Sequence, residues 1–179
     1  MSKQEPIKAM EIHGEKKKIV LAGNPNVGKS VFFNSLTGIY VDVSNFPGTT
    51  VDVSHGHFEE YAVIDTPGVY GISSFNDEEK VARDVILTAD LIVNVVDAVH
   101  LERDLFLSLR VIETGIPTII VLNMMDDAKR EGLKIDLALL EEQLGVPVIP
   151  AVAIKGKGLK ELKEKLREAR TGNIPLERQ

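Results

Sequence analysis

Apolar residues in this chain fall into two patterns. Some form short continuous runs, such as Ile19-Val20-Leu21-Ala22, Leu91-Ile92-Val93-Asn94-Val95-Val96 and Thr118 to Leu122. Near-continuous apolarity of that length suits strands covered on both faces of a sheet. Others recur every three or four positions: Leu137, Leu140 and Leu144, then Leu159, Leu162 and Leu166. That spacing predicts helices with leucine stripes in the core. The pattern predicts strands over 18–23, 51–57, 60–65, 91–97, 118–123 and 147–151. It predicts helices over 29–37, 77–88, 101–114, 135–144 and 157–169. Regular alternation of the two points to a three-layer α/β domain with a mostly parallel sheet. The strands within 51–65 are joined only by a short turn, read near His55-Gly56. Such a link permits only an antiparallel pair. The expected sheet has six strands, one of them antiparallel.

The 179 residues fit one domain with a sizeable core. A formal net charge of −6 argues against binding nucleic acid through a basic surface. No cysteine is present, which removes disulfides, thiolate metal sites and cysteine nucleophiles. No apolar run approaches the roughly 18 residues of a membrane span, and no secretory signal is visible. The chain as it stands is expected to be soluble. Residues 1–16 are polar and mixed in charge, and read as a poorly ordered leader. Loops 38–50 and 66–76 are long, and long loops beside a binding site usually serve it.

The strongest chemical signal is Gly23-Asn24-Pro25-Asn26-Val27-Gly28-Lys29-Ser30. It fits G-x-x-x-x-G-K-[ST], between a predicted strand and a predicted helix. Gly23 and Gly28 let the backbone curl so that successive N–H groups face phosphate oxygens. The helix start, entered at Val31, adds partial positive charge. Lys29 can reach the β- and γ-phosphates, and the Ser30 hydroxyl can take a Mg²⁺ coordination position. Asp65-Thr66-Pro67-Gly68 follows at the end of a strand. An acidic residue there holds Mg²⁺ in P-loop enzymes, and Gly68 can bring its N–H against a γ-phosphate.

A third signal is Asn123-Met124-Met125-Asp126, directly after an apolar strand. It matches the Asn-x-x-Asp that reads guanine in GTPases. One carboxylate accepts from guanine N1–H and the N2 amino group, whereas adenine would leave it unpaired. Asn123 is expected to tie this loop to the phosphate loop. Met124 stands where many GTPases have lysine, so packing over the base falls to methionine. In Pro150-Ala151-Val152-Ala153-Ile154-Lys155, Val152 occupies a common serine position, and Ala153 offers an amide for guanine O6. Thr49 and Thr50 both stand where a GTPase needs a switch threonine for Mg²⁺ and the γ-phosphate. Sequence pattern does not separate them. The series predicts a P-loop GTPase fold.

With these motifs in view, the chain resembles the GTPase domain of the FeoB family, the ferrous iron transport protein B of prokaryotes. The likeness runs from about Lys17 to Arg170. It rests on the Gly23–Ser30 loop, Asn45-Phe46-Pro47-Gly48-Thr49-Thr50-Val51 and Asn94-Val95-Val96-Asp97-Ala98. Leu101-Glu102-Arg103-Asp104-Leu105 and Asn123–Asp126 complete it. The resemblance implies that Thr50 is the switch threonine, with Ser30 and Asp65 also serving Mg²⁺. It implies that Asn26 coordinates K⁺, the alternative being that Asn26 only shapes its loop. Asn26, Lys29, Thr50 and Gly68 would then form the catalytic set. Val69 stands where many small GTPases carry a catalytic glutamine, so unassisted turnover is expected to be slow. The implied organisation is a leader over 1–16, a GTPase domain over 17–171 and a tail over 172–179. In the family a helical spacer and a membrane domain passing Fe²⁺ follow. The chain is thus expected to be the cytosolic part of a prokaryotic membrane protein, binding GTP and GDP with Mg²⁺ and K⁺. Nucleic acid is not an expected partner; homo-oligomerisation is left open.

Three rival readings stand beside this one. They are a free-standing regulatory GTPase, a ribosome-assembly GTPase, and a module that holds nucleotide without hydrolysing it. Simpler readings suit the other prominent residues. His55 and His57 are expected to flank a turn rather than bind metal, and His13 and His100 to be solitary and exposed. Asp77-Glu78-Glu79 reads as a helix N-terminal turn, and the lysines from 155 to 165 as a solvated face.

Overall fold

The computed structural model describes residues 16–72 and 76–170. The predicted leader up to residue 15, with His13, and the tail 172–179 lie outside the described residues. Seven strands form one sheet: β1 (Lys18–Gly23), β2 (Asp42–Asn45), β3 (Asp52–Phe58), β4 (Tyr61–Asp65), β5 (Leu91–Asp97), β6 (Thr118–Asn123) and β7 (Val148–Pro150). The α-helices are α1 (Lys29–Thr37), α2 (Asp77–Ile86), α3 (Leu101–Glu113), α4 (Met125–Arg130), α5 (Leu137–Leu144) and α6 (Leu159–Arg170). Sheet order is β2-β3-β4-β1-β5-β6-β7.

The expected six strands become seven. β2 lies within the predicted loop 38–50, and its residues Asp42 to Asn45 are all exposed. An edge strand with no buried face leaves no apolar run to detect. β2 pairs antiparallel with β3, and β3 antiparallel with β4, while β4, β1, β5, β6 and β7 run parallel. So β3 alone runs against the others, as the short link required. The turn, however, falls at Glu59-Glu60, where Glu59 adopts φ 51°. His55 and His57 therefore sit inside β3 rather than flanking a turn.

Pleating sends alternate residues of β1 to opposite faces. Ile19 and Leu21 join Phe32, Phe33 and Leu36 of α1 and Leu162 and Leu166 of α6. Val20 and Ala22 join Val81, Val85 and Ile86 of α2 and Leu107 and Val111 of α3. Each fully buried side chain of this size contributes about 1.5–3 kcal/mol relative to exposure. The stripe on α6 is core at Leu162 and Leu166, as predicted. That on α5 is not: no α5 residue is fully buried, and Leu137, Leu140 and Leu144 only flank a smaller cluster around Ile120 and Leu122.

Local signals set the helix limits. Asn76 caps α2, its side chain accepting from the Glu79 N–H, with Asp77, Glu78 and Glu79 in the first turn. Asp136 caps α5 in the same way, and Gly145 ends that helix in the left-handed region. The carboxyl ends of β1, β4, β5 and β6 lie side by side, and their loops form one crest. In open parallel sheets that crest is where ligands bind.

Candidate functional site

The loop from β1 to α1 reverses through left-handed backbone at Asn26 (φ 65°) and Gly28 (φ 86°). Asparagine tolerates that region better than most residues, and glycine enters it without strain. α1 begins with no side-chain cap and no acidic residue in its first turn. Its own first turn thus offers no carboxylate to its leading N–H groups. Val27 is buried, Val31 half-buried, and Ser30 exposed on the first turn. This backbone cradle and bare helix start suit a phosphate chain.

Lys29 is almost wholly buried, and its Nζ donates to Asp65 Oδ1 and to the Thr66 carbonyl. Burial pushes the Asp65 carboxyl above its ordinary value, although the Lys29 charge pulls the other way. Thr66 anchors the following loop, its Oγ1 donating to the Leu21 carbonyl at 2.7 Å. Val69 N–H donates to the Gly23 carbonyl at 3.1 Å. A Cβ on Gly68 would lie 2.9 Å from the Pro25 Cα, so only glycine lets this loop approach the phosphate loop so closely. Val69 itself is buried among residues of α2 and α3, and offers no polar group to the crest.

Asn123, at the end of β6, ties three loops together. Its Nδ2 donates to the Val27 carbonyl at 3.0 Å, and its Oδ1 accepts from the Ala153 N–H at 3.0 Å. The first bond is the one the sequence led us to expect. The second engages the Ala153 amide, the group the sequence offered to guanine O6. Gly28 makes this contact possible, since a Cβ there would stand 2.4 Å from Asn123 Nδ2. Met124 adopts φ 62° and starts α4. That turn brings Asp126 out beside Lys155, 3.2 Å away, and Arg130, 3.7 Å away.

The loop lacking serine closes by another means. Val152 and Lys157 exchange two backbone hydrogen bonds of 3.1 Å. Ala151 is held at both ends, its N–H donating to the Leu122 carbonyl at 2.8 Å and its carbonyl accepting from Met125 N–H at 3.2 Å. The cavity of about 630 Å³ beside Asp126 lies behind this loop, lined by Ala128, Ile135 and Pro150, with no phosphate-loop residue in its wall.

The structure distinguishes the paired threonines. Thr49 Oγ1 donates to the Phe46 carbonyl at 2.8 Å and accepts from the Val51 N–H at 3.1 Å. Its hydroxyl is part of a turn. Thr50 is exposed, on the same loop. His100, expected to be solitary, is not: its Nδ1 lies 2.9 Å from Asp97 Oδ2. Among the described residues, no group of three or more His, Cys, Asp or Glu forms a metal-binding cluster.

Sequence reasoning missed two participants. Thr66 carries no signal beyond its place in Asp-x-Pro-Gly. Asp104 stood out only through the family resemblance, yet it is buried and accepts from the Asn24 side chain at 2.7 Å. Eighty residues separate the two. No local pattern predicts that meeting.

Comparison with known proteins bears on this arrangement. The family model described as ferrous iron transport protein B matches residues 17–166. The Fe(2+) transporter FeoB of Shigella flexneri is 42% identical over 159 residues, which cover 83% of this chain. The chain spans only 21% of that relative's length. Among solved structures, a mutant S. thermophilus NFeoB bound to GDP superposes with a TM-score of 0.82 at 42% identity. That match covers 88% of this chain and 64% of the other. The G domain of the T. maritima FeoB iron transporter gives a TM-score of 0.77 at 40% identity, covering 86% of this chain and 98% of that one. Among the described residues, no helix is long and apolar enough to cross a membrane. With its phosphate cradle, its Asn123 junction and a match over nearly the whole described chain, this protein belongs to the ferrous iron transport protein B (FeoB) family.

Proposed function

We propose that the chain is the cytosolic GTPase domain of a prokaryotic ferrous iron transporter, spanning residues 17–171 and hydrolysing GTP to GDP and phosphate. One observation carries most of the reading. Asn123 holds the phosphate loop through Val27 and the Ala153 loop, three residues before Asp126. That junction sets the distance between a phosphate cradle and a carboxylate able to read a purine edge. The GDP bound in the S. thermophilus relative supports the same class of ligand.

In this reading Asp126 accepts from guanine N1–H and the N2 amino group, exchanging Lys155 and Arg130 for the base. Met124 packs over the purine, and Ala151 and Val152 hold the loop beneath it. The amides from Asn26 to Val31 hold phosphate oxygens. Lys29 leaves Asp65 and the Thr66 carbonyl for the β- and γ-phosphates. Ser30 and Thr50 would hold Mg²⁺ directly and Asp65 would hold it through water, and the ion would supply positive charge against the phosphates. Their chemistry fits: two hydroxyls and a carboxylate are hard oxygen donors, and Asp65 already lies against a cation in Lys29. Asn26 would hold K⁺, with Asn24 and Pro25 shaping the loop beneath it. Thr50 and Gly68 grip the γ-phosphate, so its loss frees both loops.

Val69 puts no polar group beside an attacking water, and unassisted turnover is therefore slow, about 10⁻⁴ to 10⁻² s⁻¹. The same burial of Val69 favours one rival, a module that holds GTP without cleaving it. Phosphate release under single-turnover conditions separates the two. Calorimetry with guanosine and adenosine nucleotides tests the base reading, using wild type and Asp126→Ala. Preference for guanosine should fall on the order of 100-fold in the variant, as two charge-assisted hydrogen bonds are lost. An unchanged preference would remove the proposal. The helical spacer and membrane domain of full-length relatives are the proposed partners of this domain.

A further inference from the structure

Asn24 and Asp104 are both nearly inaccessible, with 2% and 1% of their surfaces exposed. Asn24 Nδ2 donates to Asp104 Oδ1 at 2.7 Å. Because an ionised carboxylate only accepts, this bond fixes which way the Asn24 amide faces. Among the described residues, Asn24 Oδ1 has no hydrogen-bond partner. Asp104 is therefore what holds the Asn24 side chain. Asp104 collects two further donors: the Asp97 N–H at 2.9 Å on Oδ2, and Arg103 Nε at 2.9 Å on Oδ1. The Arg103 guanidinium in turn lies over the Tyr70 ring, 5.6 Å from its centroid. Tyr70 stands two residues beyond Gly68. A continuous path of contacts thus runs from the phosphate loop, through the first turn of α3, to the loop after Gly68.

We infer that Arg103 and Asp104 are positioning residues that lock these two loops to one another. Asp104 sets the segment Asn24-Pro25-Asn26, and Arg103 carries that anchor to Tyr70. Neither residue touches substrate in this arrangement. Their effect falls on steps that need both loops at once, binding of a γ-phosphate and its hydrolysis. GDP has no γ-phosphate and does not call on the loop after Gly68. The inference rests on the proposed GTP hydrolysis, and the experiment keeps the two apart.

The test compares wild type, Arg103→Ala, Asn24→Ala and the double variant, with Asp104→Asn as a fifth protein. Arg103 is half exposed, so its removal opens no buried cavity, and the buried Asp104 carboxylate keeps its donors from Asn24 and the Asp97 N–H. Three quantities are read: GDP affinity, affinity for a non-hydrolysable GTP analogue, and single-turnover phosphate release. Arg103→Ala should raise the ratio of analogue to GDP dissociation constants about two- to fivefold, the scale of an exposed cation–π contact, with GDP affinity held within twofold. The double variant should lose less phosphate-release rate than the product of the single losses, because both act through Asp104. In the Asp104→Asn background, where one oxygen faces three donors, Arg103→Ala should add little. An unchanged ratio, tighter binding of the analogue, or single losses that simply multiply would overturn the inference. If wild type fails to bind the analogue or to release phosphate, the proposed function fails, and this inference falls with it.

Discussion

Replacing Gly28 by alanine tests how the phosphate and base loops depend on each other. Gly28 has φ 86°, and a Cβ there would stand 2.4 Å from Asn123 Nδ2. The backbone strain alone amounts to roughly 1–2 kcal/mol for a residue with a Cβ. A clash with the tip of a side chain is usually relieved by a rotation. Here the tip is tied: Asn123 donates to Val27 and accepts from Ala153, both at 3.0 Å. Moving it breaks buried hydrogen bonds and leaves their partners unpaired, at about 1–3 kcal/mol for each group. The sum is about 3–8 kcal/mol. Gly145→Ala is the matched control. Gly145 has φ 68°, but nothing lies within 4 Å of an added Cβ. It should show only the strain. Thermal unfolding should place Gly28→Ala well below Gly145→Ala, at about 2–4 °C per kcal/mol for a chain of this size. Calorimetry should find GDP affinity near wild type in Gly145→Ala and at least about tenfold weaker in Gly28→Ala, since 1.4 kcal/mol is tenfold. Equal melting temperatures, with GDP affinity preserved in Gly28→Ala, would refute the coupling of the two loops through Asn123.

Three further outcomes are expected. Thr49→Ala should lower stability by about 1 kcal/mol, because the Thr49 hydroxyl closes a turn, and leave discrimination between GTP analogue and GDP intact; Thr50→Ala should do the reverse, and calorimetry with both nucleotides on both variants decides it. Asp65 holds its proton in the folded protein over a range where the unfolded chain has lost it, so its contribution to stability declines as pH rises from below 3.8 through the raised value and then levels. Melting curves of nucleotide-stripped wild type and Asp65→Asn across that range should therefore show the difference moving against wild type with rising pH; movement the other way would contradict the burial argument. Phosphate release measured in KCl and in NaCl should differ for wild type and converge for Asn26→Ala, and equal wild-type rates in the two salts would remove the K⁺ role.

The sequence alone carried the site motifs because each is contiguous and set against an element boundary. A loop that wraps phosphate needs glycine at fixed offsets, and one that reads guanine needs an acid at a fixed offset from an asparagine. Those needs are local, so Gly23–Ser30, Asp65–Gly68 and Asn123–Asp126 were legible along the chain. The buried strands were legible too, since a strand covered on both faces must be apolar throughout. By the same logic β2 was not. All its residues are exposed, and only the register with β3 makes it a strand. The helix α4 is too short for a period to show. Thr49 and Thr50 looked alike until the turn around Phe46 claimed one hydroxyl.

Tertiary structure decided which polar groups meet. Lys29 with Asp65, Asn123 with Val27 and Ala153, and Asn24 with Asp104 all join residues far apart in sequence. Each is a buried donor that had to find an acceptor once the sheet and its helices excluded water. Composition shows that such groups exist, but the choice of partner follows from strand order, which brings the ends of β1, β4, β5 and β6 together. Local chemistry thus named the parts of the site, and the packing of a mixed sheet settled how they are wired.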